Sequence, residues 1–143
     1  MNTQNILIRG IATVGLLTLI GCAGDRPATL GAQNNTLAGC PDSPNCVCSF
    51  ETRESHGIAA LQGNLDDVRA ALAQMPRVQI ISEEGNYLYA EFTSSLMGYV
   101  DDVEFLAAPE QNIVHVRSAS RLGYSDMGVN RARVETLRSL MTP

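Results

Sequence analysis

Residues 77–118, RVQIISEEGNYLYAEFTSSLMGYVDDVEFLAAPEQNIVHVRS, decide the fold. Four runs rich in β-branched and aromatic residues (77–82, 87–93, 99–107 and 113–118) are separated by Glu83–Asn86, Ser94–Gly98 and Pro109–Asn112, all rich in turn formers. The second run alternates Leu88, Ala90 and Phe92 with Tyr87, Tyr89 and Glu91. The third sets Asp101, Val103 and Phe105 against Val100, Asp102, Glu104 and Leu106, and the fourth sets Val114 and Val116 against Ile113, His115 and Arg117. Each run thus has one more apolar face, the pattern of an antiparallel sheet covered on one side. The other face, carrying Tyr87, Tyr89, Glu91, Asp102, Glu104, His115 and Arg117, reads as a solvated outer face. Were loop 40–61 to fold over it, His115 and the carboxylates would form a proton-transfer or metal constellation.

A helix is expected on each side of these strands. Leu65, Val68, Ala71, Leu72 and Met75 recur at helical spacing after Asn64, an N-cap, with Asp66 and Asp67 in the first turn and Pro76 as the stop. Asp126 is read as the cap of a final helix with Val134, Leu137 and Met141 on one face. Residues 55–61 read as a short extended segment. The fold class is therefore α+β: a two-layer sandwich, with an antiparallel sheet of four strands, or alternatively five, and two helices packed on one face.

The 143 residues fit one domain, and an apolar content of 45% is enough for a core. All ten basic residues are Arg, against fifteen acids, and Trp is absent. Nucleic-acid binding needs a cationic surface or an aromatic stacking groove, so it is disfavoured. The absence of Lys excludes a Schiff-base or Walker-type lysine.

Residues 1–21 read as a leader. Arg9 is followed by an uncharged run from Gly10 to Gly21, at roughly 18 Å of helix too short to span a bilayer core of about 30 Å. Leu19-Ile20-Gly21-Cys22 resembles a bacterial lipobox, which implies acylation of Cys22 and makes it the new amino terminus. This predicts a lipid-anchored, extracytoplasmic envelope protein. Ala23 follows the cysteine in place of an aspartate, which by analogy directs it to the periplasmic face of an outer membrane where the host has one. Removing the leader leaves nine arginines against fifteen acids. Residues 22–38 have the composition of a flexible tether about 20–25 Å long, and 39–143 form a single globular domain.

Cys40-Pro41-Asp42-Ser43-Pro44-Asn45-Cys46-Val47, followed by His56, is one of two telling stretches. The other is Asp101-Asp102-Val103-Glu104-Phe105 leading to the run Arg117-Ser118-Ala119-Ser120-Arg121-Leu122-Gly123-Tyr124-Ser125-Asp126-Met127-Gly128-Val129-Asn130-Arg131. Together they resemble the family known as domain of unknown function 1499, over roughly residues 38–141. The resemblance implies a domain and supplies no reaction, substrate or catalytic residue. Cys48 stands where that pattern leads one to expect Ser, a third cysteine beside the pair.

With Cys22 committed to lipid, an oxidising compartment favours a Cys40–Cys46 bridge across the bend made by Pro41 and Pro44. Free or exchanging thiols, and a metal held by three thiolates and His56, are the alternatives; C-x5-C-x-C matches no zinc pattern. Cys48 as a nucleophile would need His56 as its base.

Arg117, Ser118, Ser120, Arg121, Ser125, Asp126, Asn130 and Arg131 concentrate polar groups before a helix N-terminus, a setting for a carboxylate or phosphate. The competing reading is internal wiring, with Arg121 and Arg131 pairing Asp101, Asp102 or Glu104 and Asp126 capping. In an acidic chain the wiring is favoured, and Arg121 is expected to hold at least one of Asp101, Asp102, Glu104 and Asp126. No catalytic set is complete, and no metal or cofactor is called for. Three functions follow, in order: a non-catalytic binding or scaffold module for an envelope protein, a small-anion-binding module at Arg121–Arg131, and a thiol-dependent or hydrolytic enzyme.

Overall fold

The computed structural model describes residues 23–141. The leader and the lipidation position Cys22 lie outside the described residues.

Helix α1 spans Leu65–Leu72 and starts where the sequence places it. The Asn64 side chain accepts the N–H groups of Asp66 and Asp67 at 2.8 and 3.2 Å, and the Asp67 carboxylate accepts the Asn64 N–H at 2.9 Å. This reciprocal box satisfies three donors at the helix start. Four strands follow as a meander: β3 (Val78–Glu84), β4 (Tyr87–Thr93), β5 (Val100–Ala108) and β6 (Ile113–Ser120). Helix α2, Val129–Met141, closes the chain.

Two short strands, β1 (Cys46–Cys48) and β2 (Leu61–Gln62), pair antiparallel with the free edge of β6. The sheet therefore runs β1-β6-β5-β4-β3, with β2 beside β1 on β6. Cys46-Val47-Cys48 lies in a stretch read as loop, because three residues carry no usable alternation. The extended reading of 55–61 shrinks to Leu61–Gln62. The open edge is β3, where a register irregularity between Ile80 and Ser82 interrupts the pairing with β4. Such a bulge discourages edge-to-edge association.

One sheet face holds the core. Leu88, Ala90 and Phe92, Val103, Phe105 and Ala107, and Val114 and Val116 pack with Val47 and Leu61. Across from them lie Leu65, Val68, Ala71 and Leu72 of α1 and Val134 and Leu137 of α2. Both helices thus cover one face, as the alternation requires.

The opposite face corrects two expectations: it is not solvated, and the segment read as a tether lies across it. Tyr89, Asp102, Glu104, Leu106 and Arg117 are buried there. The Gly31 N–H donates to Glu104 at 2.8 Å, Arg26 reaches Glu91 at 2.6 Å, and Leu37 packs with Leu106 and Cys48. Composition suggested a tether because residues 23–38 have no apolar period; they are held instead by individual polar contacts and one buried leucine. Gly31 sits at φ +108°, a conformation L side chains rarely adopt, and this turns its N–H onto the carboxylate.

Candidate functional site

The covered face of the sheet carries a layer of paired charges. Cross-strand register places Glu91 opposite Asp102, Tyr89 opposite Glu104, Glu104 opposite Arg117, and Asp102 opposite Ala119. Because position 119 is a small residue, Arg121, just beyond β6, can extend over Asp102. Its Nε and Nη2 donate to the two Asp102 oxygens at 3.0 and 2.6 Å, a forked pair. Nη2 also lies 2.6 Å from Glu91 Oε1 and 3.0 Å from the Tyr89 hydroxyl oxygen. Nη1 reaches the carbonyls of Ala23 and Gly24 at 3.5 and 3.4 Å. The Arg121 side chain is 5% exposed and that of Asp102 is 1% exposed.

Glu104 is fully buried and accepts from Tyr87 Oη at 2.9 Å, Arg117 Nη1 at 3.3 Å and Gly31 N–H. Arg117 Nε is buried without a hydrogen-bond partner among the described residues. Burial pulls the Glu91 carboxyl up, but donors from Arg26, Arg121 and Tyr89 outweigh it and hold it at about 2. The hydrogen bond to Asp102 outweighs burial and raises Arg121. Burial and the adjacent carboxylates push the phenols of Tyr87 and Tyr89 upward. Three guanidiniums (Arg26, Arg117, Arg121) thus stand against three carboxylates (Glu91, Asp102, Glu104). A layer with matched charges has little left to attract an anion and no free base.

The segment 117–131, read from sequence as one candidate site, is divided by the sheet. Strand alternation sends Arg117 to the charged layer and Ser118 to the helix side. Buried Ser118 donates to Asn130 Oδ1 at 2.7 Å and accepts from Arg133 Nη1 at 2.9 Å. Asn130 Nδ2 lies 3.0 Å from the Asn45 carbonyl, 3.0 Å from Ser120 Oγ and 2.8 Å from Asp126 Oδ2. Asp101 pairs with Arg133, whose guanidinium also sits 4.7 Å above the Phe92 ring. Arg131 pairs with none of the expected acids and donates to the Ser55 carbonyl at 3.1 Å. Arg133 was missed; its signal was the spacing of three from Asn130 on one helix face.

Asp126 stands three residues before the first residue of α2, two residues ahead of the N-cap position. Its carboxylate still accepts the N–H groups of Gly128 and Asn130 at 2.9 and 2.8 Å. Burial opposes ionisation there, but those donors hold the carboxyl below its ordinary value. Ser125 Oγ accepts the Met127 N–H at 3.3 Å.

The structure joins Cys40 to Cys46 and leaves Cys48 free and completely buried. Burial pushes the Cys48 thiol up, away from the reactive thiolate. The His56 ring is turned to the Cys46 carbonyl, 3.0 Å from Nδ1, and its hydrogen bond with Cys48 runs from the Cys48 N–H to the His56 carbonyl. His115 stacks on Phe50 at 4.0 Å and lies 3.1 Å from Ser49 Oγ, with its pKa lowered by burial. Among the described residues no three His, Cys, Asp or Glu side chains are grouped to hold a metal ion.

The sequence model of a family described as a protein of unknown function (DUF1499) matches residues 36–141. The chain belongs to the DUF1499 family. Comparison with curated proteins and with solved structures returns no match. The DUF1499 match takes in every described strand and helix, the disulfide and the charged layer apart from Arg26. Residues 23–35, including Arg26 and Gly31, precede it, so part of the cover over the layer lies outside the family match.

Proposed function

We propose that this DUF1499 chain is a membrane-tethered envelope lipoprotein, anchored through Cys22, whose domain is a non-catalytic binding module. One observation carries the non-catalytic reading: the side chains most suited to chemistry are bound to one another. Arg121 holds Asp102 and Glu91, Arg117 holds Glu104, and Asn130 and Ser118 hold each other. The anion reading has less support, since Arg121 faces carboxylates and Arg131 shares a small cavity with Asp126. The thiol reading has less still, given a buried Cys48 and a His56 committed to a carbonyl.

The tether reading rests on Leu19-Ile20-Gly21-Cys22 and is supported by the Cys40–Cys46 disulfide, which suits an oxidising compartment. With Ala23 already packed on Arg121, an anchor one residue away would keep the domain close to the bilayer. Fractionation tests the tether: the wild-type chain is expected with membranes and the Cys22→Ser chain in the soluble extract. Equal release of both would reject it.

A further inference from the structure

We propose that the end of the sheet bearing loops 94–99 and 121–128 is a lipid-bilayer contact surface, seating the domain on the membrane beside its anchor; this rests on the tether reading above. Leu96, Met97, Tyr99, Leu122, Tyr124 and Met127 are all exposed there, Leu96 at 90% and Met127 at 94%. Tyr99 of one loop and Leu122 and Met127 of the other also line one groove of about 460 Å³, whose acids are Asp126 and Asp101, the latter paired with Arg133, so the exposed apolar residues of the two loops meet there. Isolated exposed apolar residues are ordinary, but a contiguous patch of this kind marks an interaction site.

Two features select a bilayer as the occupant. The first is charge. Loop 94–99 has no ionisable group except Tyr99, Arg121 is bound in the ionic layer, and Asp126 is held by backbone N–H groups. The second is where the described chain begins. Ala23 and Gly24 lie on Arg121, and a Cβ at Gly24 would come within 3.0 Å of Leu122 Cγ. Consecutive Cα atoms are about 3.8 Å apart, so a lipid on Cys22 enters the bilayer within one residue of this patch. Leu and Met then reach the acyl boundary while the tyrosines take the headgroup level, where amphipathic rings settle.

The chain contains no Trp, so a single introduced Trp reports one position. Full-length Leu96→Trp, Met127→Trp and Gln111→Trp chains are reconstituted in phosphatidylcholine vesicles with brominated acyl chains. Gln111 lies in the turn between β5 and β6, at the opposite end of the sheet. The first two chains are expected to lose most of their emission to bromine, and the third to keep it. Added salt should leave this unchanged, because the contact is apolar. Equal access of an aqueous quencher to all three positions on vesicles would overturn the proposal. So would a blue shift already complete without lipid in a species of doubled mass, which would assign the patch to a second copy. The mass of the amino-terminal peptide in the same samples reads the tether separately. Unmodified Cys22 with bromine quenching rejects the tether and keeps the docking surface; acylated Cys22 without quenching does the reverse.

Discussion

Replacing Arg121 by Ala should unfold the domain at markedly lower urea. The substitution removes both Arg121 donors to Asp102, a carboxylate whose side chain is 1% exposed, and among the described residues leaves it only the Tyr89 hydroxyl. It also takes one of two arginines from Glu91 and the donor from the Ala23 and Gly24 carbonyls. Stranding a buried charge costs about 3–5 kcal/mol, a large share of the ~5–15 kcal/mol that holds a domain folded. The melting temperature should fall on the order of 10–20 °C. Equilibrium urea unfolding of the ligand-free protein gives the number, and hydrogen exchange over residues 23–31 should accelerate with it. An Arg121→Ala, Asp102→Leu double variant should recover part of the loss, because the unpaired charge is gone. Arg121→Lys should recover less than wild type, since an ammonium cannot bind two carboxylate oxygens in a fork. Unchanged stability on Arg121→Ala would refute the structural role and return the residue to ligand binding.

Acid should loosen the same layer. The Glu91 carboxyl sits at about 2 instead of its ordinary 4.5, so its contribution is complete above pH 4.5 and is lost as pH falls toward 2. Glu91→Gln should flatten that part of a stability-against-pH curve, and an unaltered curve would contradict the assignment. Non-reducing peptide mapping should recover Cys40 linked to Cys46, with Cys48 alkylated only after unfolding; rapid labelling of Cys48 in the native protein would contradict its burial. Asn130→Ala should destabilise by more than about 2 kcal/mol, because it takes one buried partner from each of Ser118, Arg133 and the Asn45 carbonyl at once; thermal unfolding checks it.

Much of this was legible in the sequence. Period-two alternation across 87–118 names the side chains of each sheet face, and Asn64 with Asp67 names the start of α1. That Arg121 would hold one of Asp101, Asp102, Glu104 and Asp126 followed from the order of strands and acids; that the partner is Asp102 is read from the structure. Alternation does not say what covers a face, so the burial of Asp102 and Glu104 beneath residues 23–38 could not be read. Glu91 was missed as an Arg121 partner because its place opposite Asp102 depends on strand register, which the sequence leaves unstated. The grouping of Arg117 and Arg121 with Ser118, Ser120 and Asn130 failed because the two arginines pair acids on one side of the sheet, whereas Ser118 and Ser120 turn to the other side and bond Asn130 of α2.

The central claim, a domain held at the membrane by its own amino terminus, is tested most directly by the mass of the first peptide of the protein purified from membranes. The account predicts a peptide that begins at Cys22 and carries the added mass of a diacylglyceryl group. An intact leader, or a processed peptide with an unmodified Cys22 thiol, would contradict it.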